Sequence, residues 1–204
     1  MIKLDNKFNK YYLRESEKLS WFKKPKKIVK VSENNKYIWF PDGRINLYQN
    51  CVSDYLKKTA KNKTAIITIT EKKKFYKYTY HQIDKKVNNM AKYLLNYLKK
   101  KKLKVMIHAS ASIESAVLML ACSKLGIHFS VIFQELEGIG IYNRIKLFKP
   151  DIFFTRLSEE NFKKKSKFKT TFKIKYIFGN EIKKIILNKK KDELIKNVIV
   201  NSYD

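Results

Sequence analysis

The sequence is short of the residues that cross-link, kink or punctuate a chain. Its 204 residues include two cysteines, three prolines and five glycines. Cys51 and Cys122 have no CxxC spacing and no histidine at ligand distance, which excludes a disulfide scaffold and a cysteine-based zinc site. No glycine is followed by Lys-Ser or Lys-Thr, so a Walker-type loop is absent. The one glycine pair, Gly138-Ile139-Gly140, would need a third glycine where Asn143 stands to form a dinucleotide fingerprint. No apolar run reaches the roughly 18–20 residues that span a bilayer; the longest is Ala116–Cys122. The first ten residues carry Lys3, Asp5, Lys7 and Lys10 and no apolar h-region, so no secretory signal is expected. A reduced, cytoplasmic, soluble protein is the resulting expectation.

Arginine is also scarce. Of 46 basic residues only four are Arg (Arg14, Arg44, Arg144 and Arg156), against 18 acidic residues and a net charge of +28. Sites that grip phosphate favour the planar fork of Arg. The abundant residues here, Lys, Asn, Ile, Tyr and Phe, are those with A/T-rich codons, so coding bias with Lys filling solvated surfaces accounts for the charge. The competing reading is an electrostatic footprint for nucleic acid or an anionic surface. The runs at 23–30, 72–77, 99–104, 163–175 and 183–191 spread the charge along the chain rather than focusing it on one arm.

With 44% hydrophobic and 14% aromatic residues, a packed core is expected. Phe8–Leu19 reads as a short helix, and Ile28–Val31 and Tyr37–Phe40 as short strands around Asn34-Asn35. Pro41-Asp42-Gly43 reads as a turn in which Asp bonds the backbone ahead and Gly accepts positive φ. Leu47–Leu56 reads as a helix with Val52, Tyr55 and Leu56 on one face. Thr64–Thr70 and Phe75–Thr79 read as a hairpin. Thr79 and Gln82 have capping-box spacing ahead of a stripe formed by Tyr80, Ile83, Val87, Met90, Ala91, Leu94, Leu95 and Leu98, with Lys85, Lys86, Asn89 and Lys92 outside it. Lys99–Lys102 places cations at the helix end.

From Val105 to Thr155 the order is strand, helix, strand, helix, strand. The strands are Val105–Ala109, Ile127–Phe133 and Asp151–Thr155. The helices are Ile113–Leu125, capped by Ser112 and stopped by Gly126, and Ile139–Phe148, stopped before Pro150. Apolar strands separated by helices predict a doubly wound parallel α/β sheet. Tyr80, Val87, Leu94, Val117 and Leu120 are expected in one core. After Arg156 the texture turns to Lys, Phe, Thr and Ile; Tyr176–Phe178 reads as a strand, and Ile182–Leu187 as a strand or a short helix.

Composition and spacing expose no active site. His81, His108 and His128 fall on different elements and read as structural histidines. Ser110 and Ser112 sit at a strand-to-helix turn without a G-x-S-x-G elbow. Glu135 and Glu137 are two apart on a loop and make no glycosidase pair.

Three stretches carry a resemblance. The first is Trp39-Phe40-Pro41-Asp42-Gly43-Arg44-Ile45-Asn46-Leu47, with Asn50 after it and Ser20-Trp21-Phe22 before it. The second is Tyr78-Thr79-Tyr80-His81-Gln82-Ile83, followed by Val87-Asn88-Asn89-Met90-Ala91. The third runs from Ile113-Glu114-Ser115-Ala116-Val117 through Lys124-Leu125-Gly126-Ile127-His128 to Phe133, with Arg144-Ile145 and Lys149-Pro150 beyond it. In order and spacing they resemble the N-terminal region of AMP-forming short-chain acyl-CoA synthetases, closest in character to acetyl-CoA and propionyl-CoA synthetases, with an acetoacetyl-CoA synthetase also in range. The resemblance covers about Phe8 to Thr155.

It implies an N-terminal cap (residues 1–60), the start of the AMP-binding large domain with an incomplete doubly wound sheet (61–156), and a divergent, Lys-rich, poorly ordered segment (157–204). It also implies a two-step ligation through an acyl-adenylate using ATP, Mg and coenzyme A. The phosphate loop and mobile lysine of that chemistry lie beyond the matched region, so this chain alone is expected to be non-catalytic. No catalytic, cofactor-binding or metal-binding residue is assigned. Two departures stand out. Gln134-Glu135 replaces the family's Gly-Gly after the Val-Ile-Phe strand. Asn161-Phe162-Lys163-Lys164-Lys165 replaces a Gly/Arg-rich segment that touches coenzyme A phosphates, leaving Lys164 and Lys165 as point charges or as a solvated run.

Three functions compete: a non-catalytic fragment of a ligase, a basic module for nucleic acid or an anionic surface, and a docking subunit that completes a separately encoded C-terminal half. No membrane span is expected and a nucleic-acid partner is disfavoured. A sheet that stops after a few strands would leave the apolar helix Ile113–Leu125 the most exposed element and the fold marginal, with the segment after Arg156 least ordered.

Overall fold

Apolar strands buried on both faces require helices above and below them, and the architecture meets that requirement. A computed structural model describes residues 5–57, 60–98, 102–168, 171–188, 195–198 and 200–201. In chain order the elements begin with α1 (Asn6–Ser16), β1 (Trp21–Lys23), β2 (Val29–Val31), β3 (Tyr37–Trp39) and β4 (Arg44–Ile45), then a π-turn (Gln49–Ser53) leading into α2 (Asp54–Lys57). There follow β5 (Thr64–Ile69), β6 (Phe75–Thr79), α3 (Tyr80–Leu95), β7 (Lys104–His108), α4 (Ile113–Lys124), β8 (His128–Ile132), α5 (Gly138–Phe148) and β9 (Ile152–Thr155). The chain closes with α6 (Glu159–Ser166), β10 (Lys175–Ile177), α7 (Gly179–Ile186) and β11 (Val200–Asn201).

The central sheet is parallel throughout, in the order β10-β9-β7-β8. The chain steps from β7 to β8 through α4, then returns past β7 to β9 through α5 and on to β10 through α6. With right-handed crossovers, that reversal puts α4 on one face and α5 and α6 on the other. The period of two in the strands then sorts the core. Val105, Ile107, Ile152 and Phe154 face a cluster built with α3, α4 and α7, while Met106, Phe153 and Ile132 join Ile141, Ile145 and Phe162 on the other side. Val87, Leu94 and Val117 are buried in the first cluster, and Tyr80 and Leu120 pack against it half-buried.

Local signals act as the sequence indicates at several ends. Thr79 and Gln82 form a reciprocal capping box on α3, as do Ser112 and Ser115 on α4. Gly126 takes positive φ after α4, and Lys149 does so after α5, just before Pro150. Lys99–Lys101 lie outside the described residues.

Elsewhere the structure corrects the reading. The first helix starts two residues earlier, where Asp5 accepts from the Phe8 N–H, and ends at Ser16. The expected helix over 47–56 is a π-turn followed by one α-turn; Val52 is buried, but Tyr55 is exposed and stacks on Tyr80. Asp42 accepts from the backbone N–H groups of Lys26 and Lys27, behind the turn rather than ahead of it. Positive φ in that turn falls on Phe40, not on Gly43. Gly43 is needed for space, since a Cβ there would lie 2.7 Å from Cζ3 of Trp21. Asn89, placed outside the α3 stripe, is buried and donates to the carbonyls of Ile186 and Asn188.

The largest correction concerns α4 and the segment after 156. Helix α4 packs against both α3 and α7, and none of its apolar residues is exposed. The Lys-rich segment supplies α6, strand β10 paired to β9, and α7, which settles 182–187 as essentially helical. The chain then returns to the cap, where β11 pairs with β4. Buried Asn46 ties the pieces together: its Nδ2 lies 3.0, 3.2 and 2.7 Å from the carbonyls of Ser123, Lys124 and Val198, and its Oδ1 accepts from the Gln49 N–H.

Candidate functional site

In open α/β sheets ligands bind beyond the carboxyl ends of the strands, where the direction of winding reverses. Here that place lies between β7 and β9. The two strands end at His108 and Thr155, and both residues are fully buried. His108 Nδ1 lies 3.0 Å from Thr155 Oγ1, which itself accepts from the Leu157 N–H at 3.2 Å. The imidazole packs between Phe153 and Phe162. Its Nε2 is buried without a hydrogen-bond partner, as is Oε1 of Gln134 at the end of the β8 edge. Burial pushes the His108 pKa below its ordinary value, against a smaller opposite pull from the Leu136 and Gln134 backbone.

One residue further on, Arg156 Nη1 donates to Ser110 Oγ at 2.5 Å, and its Nε lies 3.7 Å from Glu114 in the first turn of α4. Ser110 therefore faces a guanidinium, which cannot act as a base, so no nucleophile–base pair forms. The α4 N-terminus is filled by its own Ser112 and Ser115 hydroxyls. Among the described residues, no group of three His, Cys, Asp or Glu side chains is placed to hold a metal ion.

The structure separates the other candidates. His81 is exposed near the start of α3, and His128 is exposed at the opposite end of the sheet from His108. Glu135 is exposed, and Glu137 pairs with Lys165 at 2.7 Å, which lowers its carboxyl pKa. The Gly138–Gly140 turn does not suit a phosphate. Glu137 places a carboxylate at the α5 N-cap, and Leu136 Cδ1 already fills the space a Cβ on Gly140 would take, at 2.7 Å. Lys163 and Lys164 make 2.7 Å pairs with Glu159 and Glu160 on their own helix. The charges considered for coenzyme A phosphates are thus engaged with carboxylates. Thr155, Arg156 and Glu114 escaped the sequence reading; Thr155 and Arg156 could have been found at the end of the β9 strand and Glu114 in the first turn of the helix that follows β7.

A family model described as "AMP-binding enzyme" matches residues 53–199, and one described as "Acetyl-coenzyme A synthetase N-terminus" matches residues 4–51. The acetyl-coenzyme A synthetase of Leptospira biflexa is 31% identical over 148 residues, covering 72% of this chain and 23% of that protein. The Helicobacter pylori (strain G27) enzyme of the same name is 34% identical over 130 residues, covering 63% and 20%. The chain thus spans about a fifth of the length of these curated relatives. Acetoacetyl-CoA synthetase from Streptomyces lividans shares the fold, with a TM-score of 0.62 at 14% identity over 71% of this chain and 22% of that one. The α/β sheet with its cap is thus the opening of an adenylate-forming ligase domain, and the chain belongs to the AMP-binding enzyme family as an N-terminal portion of an AMP-forming acyl-CoA synthetase.

Proposed function

We propose that this polypeptide contributes the N-terminal part of an ATP-dependent short-chain carboxylate–CoA ligase, with acetate or propionate as the acid, and that it makes no acyl-CoA by itself. The observation that carries the reading is the match to the AMP-binding model over 53–199 in a chain spanning only about a fifth of its relatives. The complete reaction needs ATP, Mg and coenzyme A. The described residues offer a carboxylate at the Gly138–Gly140 helix start and put Lys163 and Lys164 in ion pairs, which do not fit a triphosphate. No step of the reaction is therefore assigned to this chain.

The role is structural: the sheet and the cap present a folded surface to the polypeptide that carries the phosphate loop and the mobile lysine. The cytoplasm is the proposed compartment; both cysteines are free, and no described helix is long and apolar enough to cross a membrane. The test is pyrophosphate release from ATP with acetate or propionate and coenzyme A. The expected result is no release above a no-protein control; release above it overturns the reading.

A further inference from the structure

An unpaired strand edge invites another strand, and proteins usually blunt such edges with short length, lysine or proline. Three edges in this molecule can be compared. At one side of the central sheet, β10 is only three residues long and begins with Lys175. The β5–β6 hairpin is flanked by Lys72, Lys73 and Lys74 in its turn and carries Lys77 in β6. At the other side of the central sheet, β8 is five residues long, His-Phe-Ser-Val-Ile, with no lysine, proline or bulge.

The parallel ladder fixes which backbone groups of β8 turn away from β7, to the side where no strand among the described residues pairs with them. Ile132 accepts from the Ala109 N–H, and its register partner is His108. His128, Ser130 and Ile132 therefore turn their N–H and C=O groups toward β7, and Phe129 and Val131 turn theirs toward the open edge. Beside these groups the side chains of Val131 and Phe133 are 45% and 80% exposed. Helix α5, which leaves this edge, exposes Ile139 and Leu147 at 71% and 84% together with Arg144 and Lys146.

We propose that the β8 edge is a docking site for an extended, acidic polypeptide segment that adds a strand to the sheet beside Phe129 and Val131. Main-chain hydrogen bonds supply the attachment, and Val131 and Phe133 cover alternate side chains of the incoming strand. Charge selects the occupant. A second copy brings another +28, which opposes self-pairing, whereas an acidic strand is attracted by the chain as a whole. The proposal rests on the ligase reading only for the origin of such a strand, in the polypeptide that carries the rest of the enzyme.

The test uses the full chain and a synthetic eight-residue peptide of alternating Val and Glu, with a Val/Lys peptide as control. Amide hydrogen exchange is followed residue by residue. The expected result is saturable slowing, by about tenfold or more, at Phe129 and Val131 with the acidic peptide. The slowing weakens with added salt and is lost in Val131→Lys and Phe133→Lys. Both positions are exposed, so these variants keep the far-ultraviolet spectrum of the parent. No slowing at β8, equal slowing with the Val/Lys peptide, or slowing confined to β10 or the β5–β6 hairpin overturns the proposal. None of these outcomes bears on the ligase reading, which stands or falls on pyrophosphate release.

Discussion

The cap over residues 5–57 and the parallel sheet with its helices are held together by different physics. In the sheet, Val105–His108 and Ile152–Thr155 are buried at every position, with a mainly aliphatic cluster on one face and a phenylalanine-rich one on the other. In the cap no strand exceeds three residues, and only Ser16, Pro25, Ile28, Gly43, Asn46, Tyr48 and Val52 are buried. Aromatic contacts join α1 to the β2–β3 hairpin, with Phe8 and Tyr12 both on Trp39. The cap is moored to the sheet by Tyr48 and Val52, which are buried in the cluster with α3 and α4, and by a few polar groups. These are the Asn46 amide, the Tyr48 hydroxyl on Asp84, and Lys124 with its Nζ 4.3 Å above the Tyr48 ring. The lesson is that apolar burial dominates the sheet, whereas the cap, with few buried residues, depends in larger share on directional contacts. The two regions should therefore fail differently when single residues are changed.

The largest effect is expected in the sheet layer. Val117→Lys puts an unpaired charge among Leu94, Val105 and Leu118, at a cost of about 3–5 kcal/mol. That is a large fraction of the ~5–15 kcal/mol that holds a typical domain. Soluble yield should collapse and the denaturant midpoint of any soluble fraction should fall steeply; a variant with parental stability would show that α4 is not buried.

A smaller and more local effect is expected from Asn46→Ala. It strips three carbonyls and the Gln49 N–H of one partner, at about 1–3 kcal/mol. Hydrogen exchange should quicken over residues 20–57 and 195–198 while β7 and β9 keep their protection. Equal loosening of both regions would erase the distinction between cap and sheet.

The smallest effect is a pH dependence at the candidate site. His108 is held neutral by burial, so its pKa is lower folded than unfolded. Below the ordinary value of 6.5 the unfolded chain binds a proton that the folded chain refuses, so stability is complete above that pH and is lost as pH falls toward the folded pKa. Between pH 6.5 and the carboxylate range, the parent should lose stability that His108→Gln keeps, as read from denaturant midpoints. Parallel curves for parent and variant would place the imidazole in water.

These contrasts follow how much of each region could be read from sequence. The caps at Thr79 and Ser112, the stop at Gly126 and the βαβ order were legible because each depends on residues a few positions apart. The segment after 156 was misread because its lysines were weighed as composition rather than by position. In α6, Ser158 accepts from the Asn161 N–H, Glu159 and Glu160 fill the first turn, and Lys163–Lys165 fill the last. That is the arrangement the helix dipole favours. The site was illegible for another reason: His108, Ser110, Thr155 and Arg156 are adjacent only because β7 and β9 lie side by side, with β8 between them in sequence but not in space.

Sequence alone determined the elements from β5 to β9, their alternation and the family resemblance, since propensity, capping and hydrophobic period act over short stretches. Tertiary structure alone decided that α7 packs on α4, that Asn46 meets carbonyls 77, 78 and 152 residues away, and that among the described residues β8 rather than β10 is the longer edge of the central sheet. Those outcomes depend on which strand pairs with which. Pairing is settled by burying both faces of the sheet at once, a condition that no local stretch of sequence expresses.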